Sequence, residues 1–334
     1  MAVQIPEELL SSLLAGEKFL IFTHLRPDGD AIGSAFGMRS FLTDQGKTAH
    51  VLLPADPPER YLKFGLEGAL RTAEPADYDT FVALDCATQE RIADAGILAR
   101  LTDKKRFFSL DHHLTNTGKS AFYDFVDPKA SSACEIAASL AFQSGLPFSR
   151  KTANFFLAGM MTDTGGFKFS NTNGSVLRTA ALLLDAGADL ENIVNILFFS
   201  KSERQLRFES ALISQIKTAC SGRFAYAYIP QEMLDKYNFS LKEDEGLIDI
   251  LRGMEGVVIA MLVHRQPDGF KISLRSKDPQ YPVAPIAAEF GGGGHLMAAG
   301  ATLDFPDFNT VEQTLLSKIS AFFHEKNSLA KKAK

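Results

Sequence analysis

The sequence has few cysteines, three in 334 residues. Cys86, Cys134 and Cys220 lie far apart, and no Cys-x-x-Cys pair occurs. An odd number of widely separated cysteines argues against a disulfide framework and against a thiolate zinc site. We therefore expect reduced thiols and a cytoplasmic protein.

Long hydrophobic runs are also missing. No segment stays apolar over the roughly 20 residues that a membrane-spanning helix needs. The N-terminus carries Pro6, Glu7 and Glu8 before a short apolar stretch. A signal peptide would instead have a basic start and a long apolar core. We expect no membrane partner.

An excess of positive charge is the third absence. Lys and Arg number 35 against 40 Asp and Glu, which gives a net charge of −5. Proteins that track long nucleic acids usually carry a basic surface, so this class is disfavoured. An anionic substrate would have to be attracted by bound metal ions and a few placed basic residues.

The length and the order of the predicted elements indicate two α/β domains. A chain of 334 residues is too long for one ordinary core. In the first half, apolar runs that predict buried strands alternate with amphipathic runs that predict helices, which implies a mainly parallel sheet flanked by helices. The predicted strands are 19–24, 50–53, 80–85 and 106–111, and the predicted helices are 30–45, 90–101, 131–144, 150–161, 173–186 and 190–198.

The second half has a different pattern and predicts a smaller α/β domain. A hairpin is expected at 266–269, where Pro and Gly separate two apolar runs. The predicted strands are 223–229, 256–265, 270–276 and 298–303, and the predicted helices are 201–219, 231–237, 245–252, 283–290 and 311–323. We expect a catalytic domain over 1–190, a helical connector over 191–221, a substrate-binding domain over 222–325 and a disordered tail over 326–334.

The stretch from Thr23 to Ser34 carries the first chemical signal. It places His24, Asp28 and Asp30 on a turn between a predicted strand and a predicted helix. Open α/β sheets bind their ligands at such turns, and one imidazole with two carboxylates is typical of a divalent-metal site. The alternative is that Asp30 only caps the helix, Asp28 is a turn residue and His24 ends the strand.

Three more polar clusters follow at the ends of predicted elements. Asp85 ends an apolar strand, where a carboxylate is costly unless it pairs with an arginine or binds a metal. Asp111, His112 and His113 end another strand. At most one of the two adjacent imidazoles can bind a given metal directly. The alternative is that the triplet is only a surface turn. Asp163 ends a buried helix before a glycine-rich turn, where it could also act as a cap.

Taken together, these residues predict a site for two divalent ions that share a bridging carboxylate. Structural zinc sites prefer thiolates and calcium sites rarely use imidazole, so Mn²⁺ or a similar ion fits best. The predicted metal ligands are His24, Asp28, Asp30, Asp85, His112 and Asp163.

The clusters resemble the four motifs of the DHH phosphoesterase superfamily. These are His-x-x-x-Asp-x-Asp, a strand-end Asp, the Asp-His-His triplet and a later Asp. The stretch from Gly291 to Gly300 resembles the glycine-rich motif of the associated DHHA1 domain. The resemblance covers nearly the whole chain. Within the superfamily it is strongest to the bifunctional oligoribonuclease and 3′-phosphoadenosine-5′-phosphate (PAP) phosphatase group.

The resemblance implies a role for each metal ligand. His24 and Asp28 would bind one ion, and Asp30, His112 and Asp163 would bind the other. Asp85 would bind both. These roles follow from the family pattern and are expectations for this chain.

The resemblance also implies residues that contact the substrate. His113 would face the substrate phosphate as a catalytic residue and protonate the leaving oxygen. The implied substrate-binding residues are Asn116 and Ser132 in the first domain and Arg275, Gly293, Gly294 and His295 in the second.

The implied function is hydrolysis of short oligoribonucleotides to nucleoside monophosphates and of PAP to AMP and phosphate. The implied partners are short RNA and a nucleoside bisphosphate, with a homodimer as one candidate oligomeric state. A linear or cyclic dinucleotide phosphodiesterase is the main alternative, and a nucleotide-binding module without turnover is a further one. A family II pyrophosphatase is disfavoured because it would carry a C-terminal Arg-Lys phosphate clamp, where this sequence has the run from Gly291 to His295. A RecJ-like exonuclease is disfavoured because such enzymes carry extra nucleic-acid-binding domains.

Overall fold

The computed structural model describes residues 3–86, 88, 91–92, 97, 106–114, 116, 123–241, 246–266 and 269–332. The chain divides into two compact units, Met1–Ser200 and Lys201–Lys334. The division falls inside the segment 191–221, for which the sequence predicts a connector. Most of the predicted helix 90–101 and the centre of the predicted turn 266–269 lie outside the described residues.

The first unit is built on a parallel sheet of six described strands in the order β3-β2-β1-β4-β5-β6. The winding reverses between β1 and β4, which is the switch point where doubly wound sheets bind ligands. The strands are β1 (Lys18–Phe22), β2 (Thr48–Leu52), β3 (Ala69–Leu70), β4 (Thr80–Leu84), β5 (Phe107–Asp111) and β6 (Tyr123–Val126).

Both faces of this sheet are buried, because successive side chains of a strand point to opposite faces. In β1, Phe19 and Ile21 join a large core formed with the helices, whereas Leu20 and Phe22 join a smaller cluster. The predicted fold class, a parallel sheet flanked by helices, is confirmed. The helices of this unit are α1 (Glu7–Leu14), α2 (Gly29–Asp44), α3 (Glu59–Leu62), α4 (Ala133–Gln143), α5 (Arg150–Asp163), α6 (Gly174–Asp185) and α7 (Leu190–Phe198).

Glycines let α2 and α5 pack with their backbones almost in contact. A Cβ atom on Gly33 would lie 2.7 Å from the carbonyl oxygen of Phe155, and one on Gly29 would lie 2.4 Å from the side chain of Thr162. The start of α2 therefore lies beside the end of α5. This antiparallel packing brings Asp30, in the first turn of α2, next to Asp163, the last residue of α5.

The second unit is built on a separate sheet of six described strands in the order β11-β12-β10-β9-β8-β7. The β8–β9 pair is parallel and the other pairs are antiparallel. The strands are β7 (Lys217–Ala219), β8 (Phe224–Ile229), β9 (Ile259–Gln266), β10 (Gly269–Ser276), β11 (Gly293–His295) and β12 (Ala298–Leu303).

Helices cover both faces of the second sheet as well. Phe224 and Tyr226 pack in a core with one group of helices, and Ala225 and Ala227 pack in a core with another. The predicted second α/β domain is therefore confirmed in its fold class. Its helices are α8 (Glu203–Ile213), α9 (Gln231–Tyr237), α10 (Leu247–Arg252), α11 (Ala284–Ala288) and α12 (Phe308–Lys332).

The structure differs from the sequence prediction in two segments of this unit. The predicted helix 201–219 is wrong at its end, because α8 stops at Ile213 and β7 pairs with β8. The β-branched Ile216 and Thr218 favour this extended backbone. In the tail, α12 continues to Lys332, where the sequence suggested disorder. Leu, Ala and Lys, which fill residues 329–332, are strong helix formers.

Among the described residues, no helix combines the length and hydropathy that crossing a membrane requires. Cys86, Cys134 and Cys220 are all free thiols, so none of them is held in a disulfide.

Candidate metal centre

Three neighbouring strands bring the predicted ligands to one edge of the first sheet. His24 follows β1, Asp85 follows β4 directly, and Asp111 is the last residue of β5. These strands are adjacent in the sheet, and their carboxyl ends meet at the switch point. Six predicted metal ligands from separate stretches of the sequence come together at this edge, three after strands and three at the ends of helices.

The described part of the structure holds three groups of side chains whose ligand atoms lie within 4.8 Å of one another; one of them is Asp85, His112 and His113, and the other two consist of predicted metal ligands alone. Of these two, one is His24, Asp28 and Asp85, and the other is Asp30, His112 and Asp163. Asp85 contacts both, since its Oδ2 lies 3.6 Å from Nε2 of His24 and its Oδ1 lies 3.5 Å from Nε2 of His112.

Asp85 shows most directly that the site is built for cations. Its backbone φ is +58°, a left-handed conformation that costs free energy for a residue other than glycine. Its side chain is buried, and Oδ1 accepts no hydrogen bond from any residue that the structure describes. A buried carboxylate oxygen that accepts no hydrogen bond is costly in a folded protein unless a cation, such as a protonated imidazole or a metal ion, lies beside it. The donor set therefore fits divalent metal ions.

Two helix N-termini hold the aspartates of the first motif. Asp28 is the N-cap of α2, where its Oδ1 accepts hydrogen bonds from the backbone N–H groups of Asp30 and Ala31. Asp30 instead accepts from the N–H groups of Ala133 and Cys134 at the start of α4, at 2.7 and 2.9 Å. The capping role considered for Asp30 thus belongs to Asp28. Asp30 is held by a different helix, whose positive end stabilises its charge.

The charges of the ion-free site are shared between carboxylates and imidazoles. Burial opposes protonation of His24, but Asp28 and Asp85 raise its pKa to about 9. Burial likewise opposes the charge on His112, yet Asp85 and other aspartates raise its pKa to about 10. Burial and the charge of Asp85 raise the pKa of Asp30 to about 7. Protons therefore occupy the positions where cations would bind.

The pKa values of two further carboxylates in this cluster shift in opposite directions. Burial and the charge of Asp30 raise the pKa of Asp163 well above its usual value. Burial would also raise the pKa of Asp85, but His112 and His24 hold it below its usual range. Asp85 is thus the carboxylate that stays ionised between the two imidazoles.

His113 is oriented by an aspartate that the sequence analysis did not single out as functional. Asp111 is buried, and its Oδ1 lies 2.7 Å from Nδ1 of His113. The same carboxylate accepts hydrogen bonds from the backbone N–H of His112 at 2.8 Å and from Nδ2 of Asn116, also at 2.8 Å. His113 and Asn116 therefore lie beside the metal groups, and Asp111 fixes both. The signal for this was its position as a buried acid at the strand end.

Ser132 has a structural role here. It is fully buried, and its Oγ accepts a hydrogen bond from the N–H of Glu135 as the N-cap of α4. The hydroxyl that was expected to contact substrate is thus engaged in supporting the helix that holds Asp30.

The other predicted substrate residues lie in the second unit. Arg275 on β10 is opposite Ala298 on β12, and Ala298 is opposite His295 on β11. The three residues form one row across the sheet, so Arg275 and His295 are about 10 Å apart in their backbones. The glycines make the β11–β12 hairpin tight, since a Cβ on Gly294 would lie 2.5 Å from the carbonyl oxygen of Ala298.

Comparison with known proteins agrees with this site. The model of the DHH family N-terminal domain matches residues 18–160, and that of the DHHA1 domain matches residues 221–325. The bifunctional oligoribonuclease and PAP phosphatase NrnA of Thermus thermophilus is 31% identical over 90% of this chain and 88% of that protein. The chain belongs to the DHH–DHHA1 family of phosphoesterases.

Other DHH–DHHA1 relatives match over similar lengths. The bifunctional oligoribonuclease and PAP phosphatase NrnA of Bacillus subtilis is 26% identical over 89% of this chain and 92% of that protein. The crystal structure of an exopolyphosphatase-related protein from Bacteroides fragilis has a TM-score of 0.86 and 28% identity, covering 94% of this chain and 96% of that one. DHH phosphoesterases use divalent metals, and both ligand groups of this chain can bind them.

We expect metal binding to compete with protons at this centre. Imidazoles must be neutral to bind a cation, but His24 and His112, with pKa values of about 9 and 10, are protonated at pH 7. The apparent affinity for Mn²⁺ should therefore rise between pH 7 and pH 9, and binding at pH 7 should release protons.

Calorimetric titration at pH 7 in two buffers of different ionisation enthalpy measures the protons released. The His24→Ala variant, which lacks one of the two imidazoles, should release fewer protons than the wild type. A binding enthalpy that is the same in both buffers would contradict this account.

Proposed function

We propose that the chain is a two-metal phosphoesterase that hydrolyses short oligoribonucleotides to nucleoside monophosphates and PAP to AMP and phosphate. The observation that carries the proposal is Asp85, whose two oxygens face the two ligand groups while Oδ1 has no described hydrogen-bond partner. The substrate class follows from the Thermus and Bacillus relatives, which are bifunctional oligoribonucleases and PAP phosphatases.

We take Mn²⁺ as the preferred ion at both positions. The ligands are oxygen and imidazole nitrogen without thiolate, which suits Mn²⁺ better than structural zinc or calcium. When bound, two such ions supply a nucleophile from water at neutral pH and neutralise charge on the phosphoryl oxygens. His24 and Asp28 would hold one ion, Asp30, His112 and Asp163 would hold the other, and Asp85 would hold both.

His113 handles the proton in this proposal. Its Nδ1 lies 2.7 Å from the Asp111 carboxylate, so Nδ1 carries the hydrogen and donates it to that oxygen. Proton exchange with the substrate is then left to Nε2. From that position the imidazole would orient the phosphate and protonate the leaving oxygen.

In the second unit, Arg275 and His295 would bind a phosphate or nucleotide group of the substrate. Their common row across the β10–β12–β11 strands supports a shared role. The backbone N–H groups around Gly293 and Gly294 would add donors for an anion. A guanidinium can bind a phosphate through two parallel hydrogen bonds, which orients the substrate as well as holding it.

Two further features belong to the proposal. The free thiols and the absence of a membrane-spanning helix among the described residues support a cytoplasmic enzyme. The family resemblance also suggests a homodimer, which light scattering on the purified chain would test.

The substrate class is tested with a length series. We expect kcat/KM to be highest for RNA of about two to four nucleotides and for PAP, the kinds of substrate for which the Thermus and Bacillus relatives are named, because a small substrate can be held in one productive orientation. Longer strands gain little, since the net charge of −5 provides no basic surface excess.

The measurement uses 5′-labelled RNA from 2 to 20 nucleotides at fixed Mn²⁺ and salt, with PAP, a linear and a cyclic dinucleotide, and pyrophosphate assayed in parallel. A rate that climbs steadily to the 20-mer would favour a processive exonuclease. Preference for a cyclic dinucleotide over RNA and PAP would favour the dinucleotide phosphodiesterase.

The Asp85→Asn variant tests the metal centre. We expect turnover to fall to the background rate, since an amide lacks the charge needed to hold two cations. The fold should survive because asparagine tolerates the left-handed backbone, φ +58°, that Asp85 adopts. Circular dichroism checks the fold, and the steady-state rate with Mn²⁺ checks the chemistry.

The exposed Asp56 provides a matched control. Its Asp56→Asn variant removes the same charge from the same unit and should keep the wild-type rate. If Asp85→Asn also kept the wild-type kcat, the bridging role would be rejected.

Arg275 is tested by two substitutions. Arg275→Ala should raise KM, since losing a charged hydrogen bond costs about 1.5–3 kcal/mol, or about 10- to 150-fold. Arg275→Lys should not restore the wild-type KM, because an ammonium cannot make the bidentate contact.

Arg265→Ala serves as the control, because Arg265 lies exposed on the neighbouring strand β9, where it stacks on Phe270. Unchanged kinetics in both Arg275 variants would exclude this residue from substrate binding.

A further inference from the structure

Asn171, in the loop after α5, connects two segments that carry the metal centre. Its Nδ2 donates one hydrogen bond to the backbone carbonyl of Asp163, at 3.1 Å, and another to that of Ser131, at 3.0 Å. The hydrogen bonds that Asn171 donates here go to backbone carbonyls and not to the side chains of the ligand groups. Its contacts to the site are therefore made through the backbone.

Both carbonyls belong to residues that determine where a metal ligand lies. Asp163 is itself a member of the group formed with Asp30 and His112. Ser131 lies just before Ser132, the N-cap of α4, and the first N–H groups of this helix hold both carboxylate oxygens of Asp30. One side-chain amide thus ties the backbone of one ligand to the helix terminus that holds another.

The peptide of Ser131 is fixed from both sides. Its N–H donates to Oε2 of Glu135 at 2.7 Å, and its carbonyl accepts from Asn171. Glu135 is fully buried, and its other oxygen accepts a hydrogen bond from the hydroxyl of Ser175. Without Asn171, only the Glu135 side of this support would remain.

The chemistry of asparagine suits this position. Two carbonyl acceptors beside one end of the amide fix it as the NH₂ end, since an oxygen there would face two other oxygens. Its Oδ1 is buried and accepts no hydrogen bond from the residues that the structure describes. The residue is therefore useful for its two donors, which neither alanine nor aspartate can provide.

We propose that Asn171 is a positioning residue that sets the spacing of Asp30 and Asp163, and thereby the affinity of the Asp30–His112–Asp163 group for its divalent ion. This inference rests on the two-ion site proposed above. It concerns the strength of one of the two positions and does not depend on which phosphate ester is hydrolysed.

The test is calorimetric titration of metal-depleted protein with Mn²⁺. Asn171→Ala should weaken one of the two binding steps about 10- to 100-fold, the usual effect of losing a group that orients a ligand, and leave the other near its wild-type value. In kinetics, the Mn²⁺ concentration for half-maximal rate should rise by a similar factor, while kcat at saturating Mn²⁺ changes less.

Asn173 provides a matched control two residues along the chain. Its Nδ2 also donates to a backbone carbonyl before α4, that of Lys129, and its Oδ1 caps α6. Asn173→Ala should therefore lower the melting temperature without changing either Mn²⁺ affinity. This separates a loss of local stability from a loss of ligand spacing.

The outcomes distinguish this inference from the function on which it rests. Wild-type affinities at both positions in Asn171→Ala would overturn the inference and leave the two-ion site intact. Wild-type protein that binds no Mn²⁺ would overturn both. If Asn171→Ala does not fold, Asn171→Ser keeps one donor and should show a smaller weakening of the same step; unchanged binding in that variant would also overturn the inference.

Discussion

The structure depends on holding four carboxylates and two imidazoles within a few ångströms in a largely buried place. Repulsion and desolvation oppose this, as the raised pKa values of Asp30 and Asp163 show. Three interactions offset this repulsion and desolvation: protonated imidazoles lie beside the carboxylates, the N-terminal N–H groups of α4 bind Asp30, and those of α2 bind Asp28. Oδ1 of Asp85 lies 3.5 Å from Nε2 of His112 and 3.4 Å from Nδ1 of His113, but it accepts no hydrogen bond from the described residues. The cluster is therefore stabilised further by any divalent cation that binds it.

Rigid elements deliver every ligand to this cluster. His24, Asp85 and His112 follow adjacent parallel strands, so the sheet sets their separation. Asp30 and Asp163 lie at the start of α2 and the end of α5, whose distance is set by glycine contacts that leave no room for a Cβ atom. A ligand set of this kind cannot relax far when one member changes, because the elements are packed through the core of the unit. That is why backbone packing matters for metal binding here.

Much of this could be predicted from the sequence, and the exceptions have physical reasons. The ligand residues stand out because each is polar at the end of an apolar run, as with Asp85 after β4. The edge strands β3 and β6 have two and four residues and lack a buried face, so no apolar run marks them. Ser132 has the right type for a substrate contact, but its burial depends on how α4 packs. The role of Asn171 could not be predicted from the sequence, because its hydrogen-bond partners are backbone carbonyls, which every residue has.

The last point applies to the whole environment of the metal ligands. Asp30 is held by the N–H groups of Ala133 and Cys134, and Asp111 by those of His112 and His113, together with two side chains. Among substitutions only proline removes a backbone N–H donor, so these contacts tolerate other changes at the residue that supplies them. They do require the backbone to stay in place. The residues that matter are therefore the side chains that hold the backbone in place, such as Glu135, and the glycines that let two backbones approach closely. We therefore expect such residues to influence metal binding, although Glu135 belongs to none of the ligand groups.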